Sequence, residues 1–251
     1  MAPGLPTPQT VILAAGFGSR LAAPSGEAVP KPLLPVASRT LLEHALGQAE
    51  AAGCREAIVI TGNDAPLVEA HLGRVKTALR VTACFNPDFH QPNGVSLLAA
   101  EKHVTGPFFL QMVDHVFARP VLALLAEPDA APPEGLRLLV DYRPPRRMDL
   151  ADATKVRAVQ GRILAIGKEV WDYNGVDAGL FRLDPRVFDA LRAVAAVEPP
   201  SVTLAMRQLI ATGLLWAVPL PGVPWADVDT PEDSRQADAL LRAGAVPGGV
   251  G

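Results

Sequence analysis

Short apolar runs at residues 10–14, 57–61, 79–85 and 107–113 alternate with stretches of helical periodicity at about 39–52, 64–72 and 94–103. A chain that alternates in this way builds βαβ units, because parallel strands need a crossover and a helix is the compact one. The first half therefore predicts a largely parallel sheet covered by helices. Gly53 closes the first helix; Asp64 and Gly73 are the expected N-cap and C-cap of the second. After residue 114 the texture changes. A helix at about 119–126 leads to a strand at 136–142. The segment 154–167 alternates apolar and polar residues around Gln160-Gly161, which predicts a hairpin. A strand at 176–183, helices at about 185–196 and 201–212, a strand at 214–219 and a helix from Thr230 follow. In that last helix Thr230, Pro231, Glu232 and Asp233 read as N-cap, first-turn proline and first-turn acids.

The first strand ends in Leu13-Ala14-Ala15-Gly16-Phe17-Gly18-Ser19-Arg20-Leu21, and Lys31-Pro32-Leu33 follows. Small residues let a backbone come close to a ligand, and successive N–H groups around Gly16 to Ser19 suit phosphate oxygens. Arg20 and Lys31 bring two cations to the same place, which suits a nucleoside triphosphate. Two commoner glycine loops are excluded. A P-loop ends in Gly-Lys-Ser/Thr, and this one reads Gly-Ser-Arg. A dinucleotide fingerprint needs an acid about 20 residues on, at the end of the second strand. Here that strand ends in Thr61-Gly62-Asn63.

Other residues supply complementary chemistry. Asp114 ends an apolar strand, where ligands of open α/β sheets bind. Asp227 and Asp229 are alternate residues of an extended segment. Asp114 with one of that pair suits Mg²⁺, a hard ion that takes carboxylate and phosphate oxygens; the spacing does not choose between the two. Lys155 and Lys168, at the two ends of the hairpin, are candidates to hold an acceptor phosphate, as are Arg143 in a proline-stiffened loop and Asp177 among small strand residues. Asn93, Gly94 and Ser96 open a helix and could read a base edge, or Asn93 could be an ordinary N-cap. The chain has only five lysines, and Lys31, Lys155 and Lys168 are three of them. The five histidines show no metal spacing; His44 and His71 fall within helices.

Composition bounds the rest. Nearly half of the 251 residues are apolar, enough for a substantial core. A net charge of −3, with no basic stripe, argues against nucleic acid as a partner. No apolar run approaches the roughly 18 residues a membrane span requires, so no membrane insertion is expected. Cys54 and Cys84 have no ligand spacing and read as buried thiols of a cytoplasmic protein. Residues 1–9 and 244–251 read as loose tails around one domain at 10–243, with a nucleotide-binding half (10–118) and an acceptor-binding half (119–230).

The longer pattern L-A-A-G-x-G-x-R-L with K-P-L resembles the nucleotidyltransferase superfamily. Further segments are similar to one branch, the CTP:inositol-1-phosphate cytidylyltransferases: Asn93 to Leu98, Asp114-His115-Val116, Asp152 to Val156, Ile166-Gly167-Lys168, Val176 to Gly179, and Trp225 to Asp233. The resemblance spans about residues 10–242. It implies a three-layer α/β/α sandwich around a central mixed, mostly parallel sheet, of the glycosyltransferase-A-like kind. It also implies Mg²⁺-dependent transfer from CTP to inositol 1-phosphate, giving CDP-inositol and pyrophosphate. A separate CDP-alcohol phosphotransferase would act downstream, and a homodimer is left open. By the same resemblance Arg20 and Lys31 are catalytic, and Leu13, Ala14, Ala15, Gly16, Gly18, Ser19, Asn93, Gly94 and Ser96 bind nucleotide. The rival readings are another acceptor, such as phosphocholine or a sugar 1-phosphate, and a non-catalytic nucleotide-sensing subunit.

Overall fold

The computed structural model describes residues 8–16, 29–145 and 148–244. Its elements, in chain order, are β1 (Gln9–Leu13), a 3-10 turn (Lys31–Leu33), β2 (Pro35–Val36), β3 (Arg39–Thr40), α1 (Leu41–Ala51), β4 (Glu56–Thr61), α2 (Ala65–Leu72) and β5 (Arg80–Phe85). Then come α3 (Asn93–Ala99), β6 (Phe108–Met112), β7 (His115–Phe117), β8 (Leu136–Asp141), β9 (Lys155–Val159), β10 (Arg162–Gly167) and β11 (Gly175–Leu183). The last are α4 (Arg186–Ala195), α5 (Val202–Ala211), β12 (Leu215–Pro219), β13 (Trp225–Asp227) and α6 (Pro231–Gly244).

Nine strands form one mixed sheet in the order β5-β4-β1-β6-β11-β8-β12-β10-β9. Parallel pairing runs through β5, β4, β1 and β6 and recurs between β8 and β12. β11 is antiparallel to both neighbours, and β9–β10 is the antiparallel hairpin expected from Gln160-Gly161. Both turn residues have left-handed backbone (φ 50° and 78°), as a tight hairpin demands. Alternation along β1 sorts its side chains into two layers. Ile12 packs with Leu41, Leu42, Val68 and Ala237 of α1, α2 and α6. Val11 and Leu13 face the opposite layer, with Leu97, Leu191 and Met206 of α3, α4 and α5. Both faces are covered, which makes the α/β/α sandwich, and both cysteines are buried.

Local differences from the sequence reading have local causes. The first helix starts at Leu41 because Thr40 caps it: its hydroxyl accepts from the Glu43 N–H while the Glu43 carboxylate accepts from the Thr40 N–H. Arg39-Thr40 instead pairs with Pro35-Val36. Asp64 occupies the N-cap position of α2 but in left-handed backbone (φ 55°), and its side chain makes no capping bond. The predicted helix at 94–103 ends at Ala99 and continues only as a 3-10 turn, Glu101–His103. The expected helix at 119–126 is likewise a 3-10 segment, Leu122–Ala126. It is held from beneath by the fully buried Arg137, whose Nη1 donates to the carbonyls of Leu125 (2.9 Å) and Glu127 (2.6 Å). At α6, Thr230 and Asp233 cap each other reciprocally.

Candidate active site

The carboxyl ends of β1 and β6 open into a cleft of about 390 Å³. Leu13, Ala15, Gly16, Lys31, Asn93, Ser96, Asp114, Lys168 and Asp229, all expected site residues, line it. Phe89, Gln91 and Asp152 line it too and are not among the expected site residues; the only signal is that Asp152 opens one of the segments similar to the cytidylyltransferases. Gly18, Ser19 and Arg20 lie outside the described residues, as do Arg146 and Arg147.

Lys31 is at the centre of the cleft's charge. The 3-10 turn that begins with it presents its ammonium to Asp114 Oδ2 at 2.7 Å and to Asp229 Oδ1 in a still shorter contact. Burial opposes the charge on Lys31, but the two carboxylates override it and hold its pKa above the usual 10.5. Burial also opposes ionisation of Asp114; Lys31, with His115, holds that carboxyl well below the usual range. Asp229 is brought here by β13, which pairs antiparallel with β7, and by the Val228 N–H donating to the Asp114 carbonyl at 3.0 Å.

The same ladder places Asp227 opposite His115. His115 donates from Nδ1 to Asp114 Oδ1 at 2.8 Å and stacks on Trp225, with ring centroids 5.4 Å apart. Phe117 stacks on Trp225 as well (5.9 Å), and the Trp225 indole N–H donates to the buried Asp141 carboxylate at 2.8 Å. Gly179, with φ +73°, passes close against the imidazole; a Cβ there would lie 2.5 Å from the ring. Burial disfavours the imidazolium, but Asp227, Asp114 and Asp177 hold its pKa up at about 9. Asp177 and Asp227 are themselves pushed up to about 6, chiefly by burial. One ligand atom each from Asp114, His115 and Asp227 lie within 4.8 Å of one another. The carboxylate oxygens of Asp114 and Asp227, with Asp229 beside them, suit a hard divalent cation; His115, held as the imidazolium, orients Asp114 rather than offering a nitrogen.

Several expected site residues carry structural tasks, Asn93 and Ser96 while also lining the cleft. Ala14 is buried and donates its N–H to the Ile60 carbonyl at 3.0 Å, so it extends the pairing of β1 with β4 rather than lining the cleft. Asn93 is not an N-cap of its own helix, since Pro92 holds that position. Its Oδ1 accepts from the Val202 N–H at 2.9 Å and so ties α3 to the start of α5. Gly94 serves packing: a Cβ would lie 2.5 Å from the Pro200 carbonyl oxygen. Ser96 accepts from Asn86 Nδ2 at 3.0 Å. Lys155 does not line the cleft; its ammonium donates to the Lys168 carbonyl at 2.7 Å and lies 5.9 Å from the Tyr173 ring. Asp177 accepts from the Gly179 N–H at 2.7 Å, and the Arg143 main-chain N–H donates to Asp141 at 2.8 Å. Neither Asp177 nor Arg143 lines the cleft.

Residues 10–135 match the profile of the MobA-like NTP transferase domain. The chain belongs to that family. Among the relatives of this MobA-like NTP transferase is the bifunctional IPC transferase and DIPP synthase of Rubrobacter xylanophilus. It is 35% identical over 252 residues, covering 96% of this chain and 53% of that protein. The protein of the same name from Thermococcus kodakarensis is 30% identical over 241 residues, covering 96% and 52%. The chain thus spans about half the length of these curated relatives. The solved structure of the inositol-1-phosphate CTP transferase from T. maritima superposes with a TM-score of 0.84 at 21% identity, covering 99% of this chain and all of that one. Nucleotidyltransferases of this family share its fold, a mixed sheet between two helical layers. Among the described residues no helix is long and apolar enough to cross a membrane.

Proposed function

We propose that this chain transfers a cytidylyl group from CTP to inositol 1-phosphate, releasing CDP-inositol and pyrophosphate. The observation that carries the proposal is Lys31 held between Asp114 and Asp229 in a cleft lined by Leu13, Ala15 and Gly16 at the end of β1, in a chain whose relatives bear IPC transferase names. In the reaction an oxygen of the acceptor phosphate bonds to the α-phosphorus of CTP as the bond to the pyrophosphate oxygen breaks. The attacking phosphomonoester is already ionised near pH 7, so no general base is needed. What opposes the reaction is repulsion between two anions, and catalysis is positioning and charge neutralisation.

Lys31 and Arg20 are assigned to the triphosphate. Lys31 is anchored by carboxylates rather than by main chain, so its ammonium stays charged while facing the cleft. Asp114 with Asp229 or Asp227 would hold Mg²⁺, which when bound supplies charge neutralisation to the phosphate oxygens. Lys168, which lines the cleft, is assigned to the acceptor, and Lys155 supports it from behind by donating to its carbonyl. Arg143 and Asp177, which do not line the cleft, are assigned to the acceptor only through the resemblance. Leu13, Ala15, Gly16, Gly18, Ser19, Asn93 and Ser96 are assigned to the nucleotide, with Ala14 and Gly94 shaping the backbone that carries them. The proposed setting is cytoplasmic, with the CDP-alcohol product consumed by a CDP-alcohol phosphotransferase.

The test is pyrophosphate release measured across four nucleoside triphosphates and a panel of phosphomonoesters, with and without a divalent-metal chelator. CTP with inositol 1-phosphate should give the highest kcat/KM, and the chelator should abolish it. Preference for phosphocholine or a sugar 1-phosphate would reassign the acceptor. No rate with any pair would favour a nucleotide-sensing role.

A further inference from the structure

The acceptor-binding half contributes few groups to the cleft. Among the described lining residues beyond 118 there are only Asp152, Lys168 and Asp229, and Asp229 is engaged with Lys31. Asp152 and Lys168 form an ion pair with each other, their side chains 45% and 60% exposed. A pair so exposed contributes little to stability, so either partner can turn to a ligand at small cost.

The backbone beneath them is held firmly. The Lys168 carbonyl accepts from Lys155 Nζ at 2.7 Å, and the Ile166 carbonyl accepts from Arg207 Nε at 2.9 Å. On the other side, the Asp152 N–H donates to the Asp149 carbonyl at 3.2 Å. Fixed main chain with redirectable charged ends is what a binding subsite needs. The two ends differ in what they recognise. An ammonium pairs with a phosphate, whereas a carboxylate accepts hydrogen bonds from hydroxyls. The only aromatic residue among the described lining residues is Phe89, so there is no cage of the kind a quaternary ammonium requires.

We infer that Asp152 completes the acceptor subsite beside Lys168, Lys168 holding the phosphate and Asp152 accepting from ring hydroxyls, so that the acceptor is a phosphorylated polyol with no charge beyond its phosphate. This rests on the cytidylyl-transfer reading above and adds to it a specificity determinant, Asp152.

The experiment has a kinetic and an equilibrium arm on the full chain. Lys168→Met and Asp152→Asn are compared with the parent protein using inositol 1-phosphate, an analogue of it lacking one ring hydroxyl, and phosphoethanolamine. Calorimetry measures binding of inositol 1-phosphate in the presence of α,β-methylene-CTP, which cannot react. Both variants should weaken binding and raise the acceptor KM by about 10- to 100-fold, the worth of one hydrogen bond to a charged group, with the KM for CTP within about twofold. Asp152→Asn should also shrink the penalty for the missing hydroxyl. The inference is overturned if binding of inositol 1-phosphate is unchanged in both variants, if the CTP KM moves instead, or if Asp152→Asn selectively loses phosphoethanolamine. Tight binding that both variants weaken, without turnover in the parent, would support the subsite while sinking the cytidylyl-transfer reading alone.

Discussion

Lys31 and Asp177 show how one side chain's surroundings set its work. Lys31 faces two carboxylates and, by the proposed reaction, a triphosphate. Lys31→Met should lower kcat by about 10²–10³, the usual cost of losing one group that stabilises transition-state charge, with native circular dichroism retained. A variant with the parent's kcat would sink the assignment. Asp177 makes a prediction about pH. Its native pKa of about 6 exceeds the ordinary 3.8, because burial disfavours the carboxylate. Between those values the native state holds a proton that the unfolded chain has released, so stability falls as pH rises through that window. Asp177→Asn keeps an acceptor for the Gly179 N–H and removes the titration. It should stabilise the fold at pH 8 by up to about 2–3 kcal/mol and have no such effect at pH 4. Thermal melts of both proteins across pH would show converging curves in acid; parallel curves would refute it. Lys31 and Asp114 were readable because their positions follow strand ends and a glycine loop. His115 was not, since its importance lies in a stack on Trp225 that is 110 residues away along the chain.

The elements most easily read from sequence are those whose stability is local. The capping box of α1 and the Gln160-Gly161 hairpin need only neighbours in the chain. β7 and β13, three residues each, carry no periodic signal; they exist because each supplies the other's ladder partner. Yet this ladder aligns Asp227 with His115 and delivers Asp229 to Lys31. The β2–β3 turn is a different case, a strained element held by tertiary contact. Ala37 and Ser38 both have left-handed backbone (φ 48° and 69°), and the Ala37 N–H donates to Asp238 of α6 at 2.7 Å. Left-handed backbone costs a residue with a Cβ about 1 kcal/mol. Ser38→Gly should therefore stabilise the protein by about 1 kcal/mol and raise Tm by roughly 2–4 °C. A lowered Tm in calorimetry would show that the Ser38 side chain, not the turn, matters there.

At the scale of the whole molecule, the described residues before and after about 118 are interleaved. β11, from the second half, pairs with β6 of the first, and α6 packs Ala237 and Leu241 into the cluster that holds Leu41 and Leu42. Residues 8–118 alone would expose the β6 edge and the face that α6 covers. They should show no cooperative thermal transition, whereas the full chain should unfold in one step detected identically by circular dichroism and tryptophan fluorescence. A sharp transition in the fragment would make the first half an independent domain.

Local order along the chain was enough to anticipate strand-helix alternation, the approach of Gly16 and Lys31 to the end of Asp114's strand, and a sheet covered by helices. Those features depend on periodicity, backbone freedom and strand ends, which are properties of short windows. The engagement of Asp229 with Lys31, the placing of His115 between three carboxylates, the diversion of Lys155 and Gly94 to supporting tasks, and the second task of Asn93 in tying α3 to α5 depended on folding. Each joins residues far apart in sequence, and such partnerships come into being only when the sheet and its two helical layers close around them.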